Sequence, residues 1–363
     1  MRLHRTKNAL WQSWPYNKHN RSTAMQHGDV APNTGGVHVG YLDGWRGLAI
    51  LLVLQAHFFP TQYLDSGRFG VDVFFALSGL LMAQILFVRR MPLGTFYQRR
   101  ASRILPAFLV FVCLVYGVSR LRGGEHSWSQ MLATLTFLRS YFPVSPGIWD
   151  SGLPIGHLWS LNVEEHAYLL MSLLTLAVAG RRAGLALIAL GFASFAVQIV
   201  YLRWWAPVGW RQHTEVMIPG IVLAAGYTLL RLHRVPRWAP LIAFVIAALC
   251  YAHILSWMAY AFLAPIALAF VVNHLQDTPA LARRILEWQP LRLLGVWSFS
   301  IYLWQQPFHE LKTVPLWLAG VLAVATGLVS YYIIENPARA WLNSLGVHPN
   351  IQTPAAKSTA PTV

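Results

Sequence analysis

Long apolar runs, rather than short alternation, organise this chain. They fall at roughly 43–61, 70–88, 104–119, 161–179, 183–201, 216–232, 238–254, 256–274, 291–308 and 314–334, separated by basic, polar or Gly/Pro-containing stretches. A helix needs about 20 apolar residues to cross a bilayer, and inside lipid the backbone must satisfy its own hydrogen bonds. The pattern therefore predicts an all-α, polytopic integral membrane protein with about ten transmembrane helices. Residues 1–40 are polar, basic and interrupted by Gly and Pro, without the apolar stretch of a signal peptide, and are expected to be a disordered cytoplasmic tail. The membrane domain is expected over 41–340. Residues 341–363, rich in Thr, Pro and Ala towards their end, are expected to form a second disordered cytoplasmic tail.

Composition narrows this reading. Of 363 residues, 56% are hydrophobic and 11% charged, which leaves too little polar surface to clothe a soluble globule. The formal charge is +15, from 28 Lys+Arg against 13 Asp+Glu. In a soluble protein that excess would point to nucleic acid, but in a membrane protein it marks the loops retained in the cytoplasm. With the N-terminus inside, 20 basic residues fall on inner segments and 7 on outer ones. Both termini are therefore expected to be cytoplasmic, with the lipid bilayer as partner and no nucleic acid. Arg46 is left over as the one basic residue not counted to either side; Arg231 and Arg292, at the inner ends of their runs, are counted with the inner segments. Cys113 and Cys250 lie alone in apolar runs, which gives neither a disulfide framework nor a metal site. No internal repeat of the kind found in many transporters is visible in the sequence.

Ionisable groups are costly within a bilayer, so the few present mark candidate chemistry. Arg46 and His57 occupy the first run. Eleven residues at about 100° each return to within about 20° of one face after three turns, with a rise of about 16 Å. Arg46 can also pair with Asp43, three residues earlier. On one stripe, the two suit a track that takes an anionic cosubstrate at the Arg46 end and performs proton chemistry at His57. Asp72, near the outer end of the second run, is expected at the depth of His57, where its carboxylate would orient and charge-stabilise the imidazole. Gly79, further along that run, is expected to serve close helix packing. Arg100 and Arg103, one turn apart at the inner entrance to the third run, have the spacing to grip phosphates. Arg89, Arg90 and Arg99 read as topology signals alone.

The outer segment 120–160 is rich in Trp, Ser, Pro and Gly and leads into His157, Trp159, Glu164, Glu165 and His166 at the start of the fourth run. Adjacent positions on a helix do not share a face, so only one of Glu164 and Glu165 is expected to point inward. Ser298, Ser300, Tyr302 and Gln305 give the ninth run more hydroxyls and amides than lipid contact needs, as either a structural polar seam or a substrate contact. Glu335, Pro337 and Arg339 are expected to close the tenth run as a helix terminator with an ion pair.

In chain order over about residues 40 to 340, these segments resemble the acyltransferase-3 family of integral membrane O-acyltransferases. The matching pieces are LDGWRGLAILLVLQAH, GVDVFFALSGLLM, RRASRILPA, HLWSLNVEEHAYL, SFSIYLWQQP and YYIIENPAR. The resemblance implies transfer of an acyl group, most often acetyl, from cytoplasmic acetyl-CoA or another acyl-CoA to a sugar hydroxyl of an envelope or exported polysaccharide. It implies a multi-pass enzyme of the bacterial inner membrane with no tightly bound cofactor and its acyltransferase domain at 41–340. It also implies that Arg46 and His57 are essential, that Arg100 and Arg103 contact the donor together with Arg46, and that Glu164 lies in the catalytic chamber. The soluble esterase-like domain that some members carry is not expected after the tenth span. One departure is Gln305, where the family commonly carries His, and no catalytic role is carried over to it.

Such chemistry needs a thioester, a hydroxyl and one proton acceptor within reach of each other. His57 is expected to act either as the base on the acceptor hydroxyl or as an acyl carrier. Glu164, or failing that Asp72, would stabilise the imidazolium, and His157, Trp159, Ser298, Ser300 and Tyr302 would line the acceptor site. The competing reading is a proton-coupled transporter or flippase of a glycan or small molecule, because ionisable residues in membranes also serve as proton relays.

Overall fold

The computed structural model describes residues 40–230, 234–252, 255–256 and 258–345. The expectations for the two tails fall on 1–39 and 346–363, outside the described residues. Regular structure among the described residues is entirely helical: α1 (Gly40–Phe58), α2 (Ser66–Met82, prolonged by a π-helical turn at Ala83–Val88), α3 (Leu93–Leu121), α4 (Trp128–Leu135), α5 (Trp159–Ala177), α6 (Gly180–Arg203), α7 (Thr214–Met217), α8 (Pro219–Leu230), α9 (Ala239–Cys250), α10 (Ala264–Asn273, preceded by a π-helical turn at Ala259–Leu263), α11 (Ala280–Leu286), α12 (Gln289–His309), α13 (Leu316–Ser330, prolonged at Tyr331–Glu335) and α14 (Asn336–Ser344). Within the described residues, each of the ten apolar runs overlaps at least one of these helices. Four continuous helices, Ser66–Val88, Leu93–Leu121, Gly180–Arg203 and Leu316–Ser344, are long and apolar enough to cross a membrane, and Pro219–Leu230, Ala239–Cys250 and Ala259–Asn273 are apolar but shorter. The chain is a multi-pass membrane protein. Its last helix continues to Ser344, past the boundary expected at 340.

Small residues set the helix pairing. α1 and α12 run side by side in the same direction, with Gly295 against Asp43, Gly47 against Leu291 and His57 against Gln305. A Cβ on Gly295 would stand 1.8 Å from the Asp43 carbonyl oxygen, and one on Gly47 would stand 1.9 Å from that of Leu291. Only glycine lets these two backbones meet. α2 returns antiparallel along α1, and the Trp45 indole donates to the Val73 carbonyl oxygen at 3.1 Å. Gly79 packs against α8 as its sequence context predicts. Lipid tails supply no hydrophobic drive between helices, so contact at small residues is what closes the bundle.

The segment between α4 and α5 is tied down by Arg139, 1% exposed. Its guanidinium donates to the carbonyl oxygens of Pro143 at 3.2 Å, Pro146 at 2.9 Å and Gly147 at 3.2 Å. The residue reads as an outer-loop charge in the sequence. Burial is possible because a turn of converging carbonyls engages both terminal nitrogens of the guanidinium without a carboxylate.

Candidate active site

Polar residues contributed by α1, α2, α3, α5 and α12 converge between these helices on a cavity of about 130 Å³. Arg46, Arg100, Arg103, Ser78, Ser160, Glu164, Ser298 and Tyr302 interrupt an otherwise apolar wall that includes Val71, Phe74, Leu81 and Ile104.

The guanidiniums gather at one end, brought by the second turn of α1 and the first third of α3. Arg46 pairs with Asp43 at 2.8 Å, as its i,i+3 spacing predicts. Arg100 is more fully engaged than expected. Its Nε donates to Glu165 at 2.8 Å, its Nη2 stands 3.5 Å from Glu164, and its guanidinium lies 3.6 Å from the centre of the Tyr168 ring. Both carboxylates therefore face the interior, where one was expected. A single guanidinium offers donors on several sides, so two adjacent positions can converge on it. Glu164 also accepts from the Ser78 hydroxyl at 2.6 Å. Arg103 lines the same cavity and makes no ion pair with any of the described residues. It is the cation here best placed to receive an anion.

At the other end, the Tyr302 hydroxyl donates to the His157 carbonyl oxygen at 2.9 Å and shares a hydrogen bond with the Ser160 hydroxyl at 2.7 Å. The His157 ring is buried edge-on to Tyr302 at 5.3 Å and to Phe111 at 5.6 Å. Its two nitrogens have no hydrogen-bond partner of ordinary geometry among the described residues.

His57 lies one turn of α12 beyond Tyr302, outside the cavity wall itself. Its Nδ1 is hydrogen-bonded to the amide oxygen of Gln305. With that oxygen accepting, Nδ1 carries the proton and the Nε2 lone pair is left for chemistry. The ring stacks on His309, centroids 4.4 Å apart. Gln305 and His309, four residues apart on α12, present one face to His57. Gln305 is the ninth-run amide singled out in the sequence as polar seam or substrate contact; His309 is not singled out there. His309 lies just past the ninth apolar run and reads as a helix-end residue, and its i,i+4 spacing from Gln305 gains meaning only once α1 and α12 are known to be neighbours.

Three candidates sit elsewhere. Asp72 does not join His57: its carboxylate accepts from Arg68 at 2.8 Å and from the Tyr251 hydroxyl at 2.5 Å, on the wall of a second cavity. Arg68, one turn earlier on the same helix, captures it. Ser300 donates to Glu335 at 2.7 Å; two residues turn a helix by about 200°, which takes Ser300 off the face that Ser298 and Tyr302 share. Trp159 packs edge-on against Phe75 at 6.0 Å, with the Arg68 guanidinium 5.3 Å from its ring, and does not line the first cavity. Glu335 and Arg339 form their predicted pair at 3.9 Å.

A family model described as an acyltransferase domain matches residues 39–336. Among curated proteins, the chain is similar to the O-acetyltransferase OatA of Staphylococcus aureus (strain NCTC 8325 / PS 47), 23% identical over 82% of this chain and 57% of that protein. It is 26% identical to the putative peptidoglycan O-acetyltransferase YrhL of Bacillus subtilis (strain 168), over 82% of this chain and 54% of that protein. It is 28% identical to the peptidoglycan O-acetyltransferase OatA of Listeria monocytogenes serovar 1/2a, over 83% of this chain and 56% of that protein. The chain thus spans little more than half the length of these relatives. No solved structure matches it significantly.

Proposed function

This chain belongs to the acyltransferase-3 family, and from that premise we propose that it is an O-acetyltransferase moving acetyl from acetyl-CoA to a sugar hydroxyl of an envelope or exported glycan. In this reading it sits in the bacterial inner membrane with about ten spans and both termini in the cytoplasm. The observation that carries the reading is the cavity, cationic at one end and lined by hydroxyls at the other, with His57 a helical turn past the hydroxyl end.

The donor phosphates would meet Arg103 first, with Arg46 beside it, while Arg100 stays committed to Glu164 and Glu165. The thioester arm would follow the apolar wall towards Tyr302. In the base route, His57 Nε2 takes the proton of the acceptor hydroxyl as its oxygen attacks the thioester carbonyl, the C–S bond breaks, and the proton passes to the departing thiolate. In the carrier route, Nε2 itself attacks the carbonyl and the C–S bond breaks with loss of the thiolate; the acceptor oxygen then takes the acetyl as the N–C bond breaks, and its proton passes to the freed Nε2 and on to the thiolate. Both routes put positive charge on His57. That charge meets the Gln305 amide oxygen and the C-terminal end of α1, whose last turn His57 occupies and whose dipole favours a cation.

The test uses the full chain purified into lipid vesicles with acetyl-CoA labelled in the acetyl group and a glycan acceptor. Release of free thiol together with label on the glycan is the expected result. Movement of glycan across the vesicle without thiol release would overturn the reading in favour of a transporter.

A further inference from the structure

A second cavity, of about 270 Å³, opens beside the first transfer-site helices and is used by nothing described so far. Arg68 in the first turn of α2, Asp72 one turn later, Gln198 near the end of α6, Trp210 and Arg211 in the following connection, and Tyr260 ahead of α10 contribute its polar and aromatic wall. It lies at the end of the bundle where α1 finishes with His57: a Cβ built on Gly67 would stand 3.1 Å from that of Ala56, the neighbour of His57.

The wall is built rather than incidental. Arg68 and Asp72 form an ion pair at 2.8 Å, and the buried Tyr251 hydroxyl fixes the other side of the carboxylate oxygen at 2.5 Å. Only the Nε of Arg68 is used; its two Nη groups donate to no other described residue. Gln198, buried, donates to the Val216 carbonyl oxygen at 2.9 Å and holds α6 against α7. The Trp210 ring is held edge-on by Tyr201 at 6.1 Å and faces the Arg211 guanidinium at 5.5 Å.

A fixed Arg–Asp pair presents coplanar donors and acceptors, which suits vicinal hydroxyls, and an aromatic face receives the C–H face of a sugar ring. The volume falls just short of the roughly 300–1,000 Å³ of sites for drug-sized ligands, so a single ring is the matching size. Because Asp72 neutralises Arg68, the residual charge of the wall is that of Arg211, which favours one carboxylate over a doubly charged phosphate. We infer that this cavity seats one pyranose residue of the acceptor glycan, a sugar bearing a carboxylate, stacked on Trp210 and held through its hydroxyls by Arg68 and Asp72. The inference rests on the proposed glycan acceptor. It separates acceptor recognition from the donor cavity, with which the second cavity shares no lining residue.

The experiment measures binding of N-acetylmuramic acid and N-acetylglucosamine, which differ by a carboxylate-bearing group, to the full chain purified in detergent, with no acyl donor present. Both sugars are expected to bind, the carboxylated one several-fold more tightly. Trp210→Ala is expected to weaken both by roughly tenfold, Trp210→Phe to retain binding, and Arg211→Gln to erase the preference for the carboxylate; an unchanged melting temperature shows that each variant is folded. No binding to the unaltered protein, or binding within twofold of it in Trp210→Ala and Arg211→Gln alike, would overturn the inference. Because no donor is present, the outcome is independent of acetyl transfer: binding as expected by a protein that releases no thiol from acetyl-CoA would uphold the sugar site and overturn the transfer reading.

Discussion

His309 lies on His57 with ring centroids 4.4 Å apart and 20° between the planes, and its Nδ1 donates at 2.9 Å to the carbonyl oxygen of His57 itself. One side chain thus fixes both the ring and the backbone of the proposed base. His309→Ala is expected to lower kcat about tenfold, which is about 1.4 kcal/mol of transition-state stabilisation, with the KM for acetyl-CoA within about twofold of the original. His309→Phe keeps the stacking and recovers part of the loss. Steady-state kinetics of thiol release measure both values, and a change confined to KM would contradict a positioning role.

Arg103 and Arg100 lie one turn apart and are expected to fail differently. Arg103→Ala removes from the donor end a cation that pairs with no described carboxylate, and should raise the KM for acetyl-CoA about tenfold while leaving the melting temperature close to the original. Arg100→Ala strands Glu164 and Glu165 in a site where they are 20% and 19% exposed. Breaking one side of a buried pair costs about 3–5 kcal/mol, so this variant should melt at a clearly lower temperature. Equal melting temperatures for the two variants would contradict the assignment.

The contact between α1 and α12 has no room for a methyl group at Gly295, where a Cβ meets the Asp43 carbonyl oxygen at 1.8 Å. Gly295→Ala must push the helices apart, which displaces Gln305 from His57 as well as lowering stability. Overpacking of this kind costs about 1–3 kcal/mol. Detergent-solubilised melting curves and thiol release should both fall; loss of neither would contradict the packing described.

Glu215 sits in α7, ahead of the apolar helix α8. Burial pushes its carboxyl up, but hydrogen bonds from His213, Tyr141 and Tyr201 outweigh that and hold it down at about 2. A lowered carboxyl contributes stability that is present above its ordinary value of 4.5 and is lost as pH falls from there towards 2. The melting temperature is expected to drop more steeply between pH 5 and pH 3 for the unaltered protein than for Glu215→Gln. Parallel curves would contradict it.

Much of this was legible in the sequence because membranes make charge conspicuous. Apolar run length gave the helices, and the scarcity of ionisable residues singled out Arg46, Arg100, Arg103 and Glu164, all of which reach one cavity. The pairings among them were not legible. Which carboxylate meets which cation depends on how neighbouring helices are rotated, and rotation is set by contacts such as Gly295 on Asp43 that no single run contains. Depth in the membrane alone puts Asp72 with His57, whereas Arg68, one turn away on the same helix, takes it. Ser300 was grouped with Ser298 and Tyr302 by proximity in sequence, although helical rotation sends it to Glu335. His309 carries no signal in the sequence, because a histidine at a helix end is ordinary and its ring gains a role only from His57 on the neighbouring helix.

The most direct test of the account is transfer of radiolabelled acetyl from acetyl-CoA to glycan by membrane vesicles carrying His57→Ala. The account predicts loss of at least about a hundredfold in transfer, with the protein still present and folded in the membrane. Transfer at the level of the unaltered protein would contradict it.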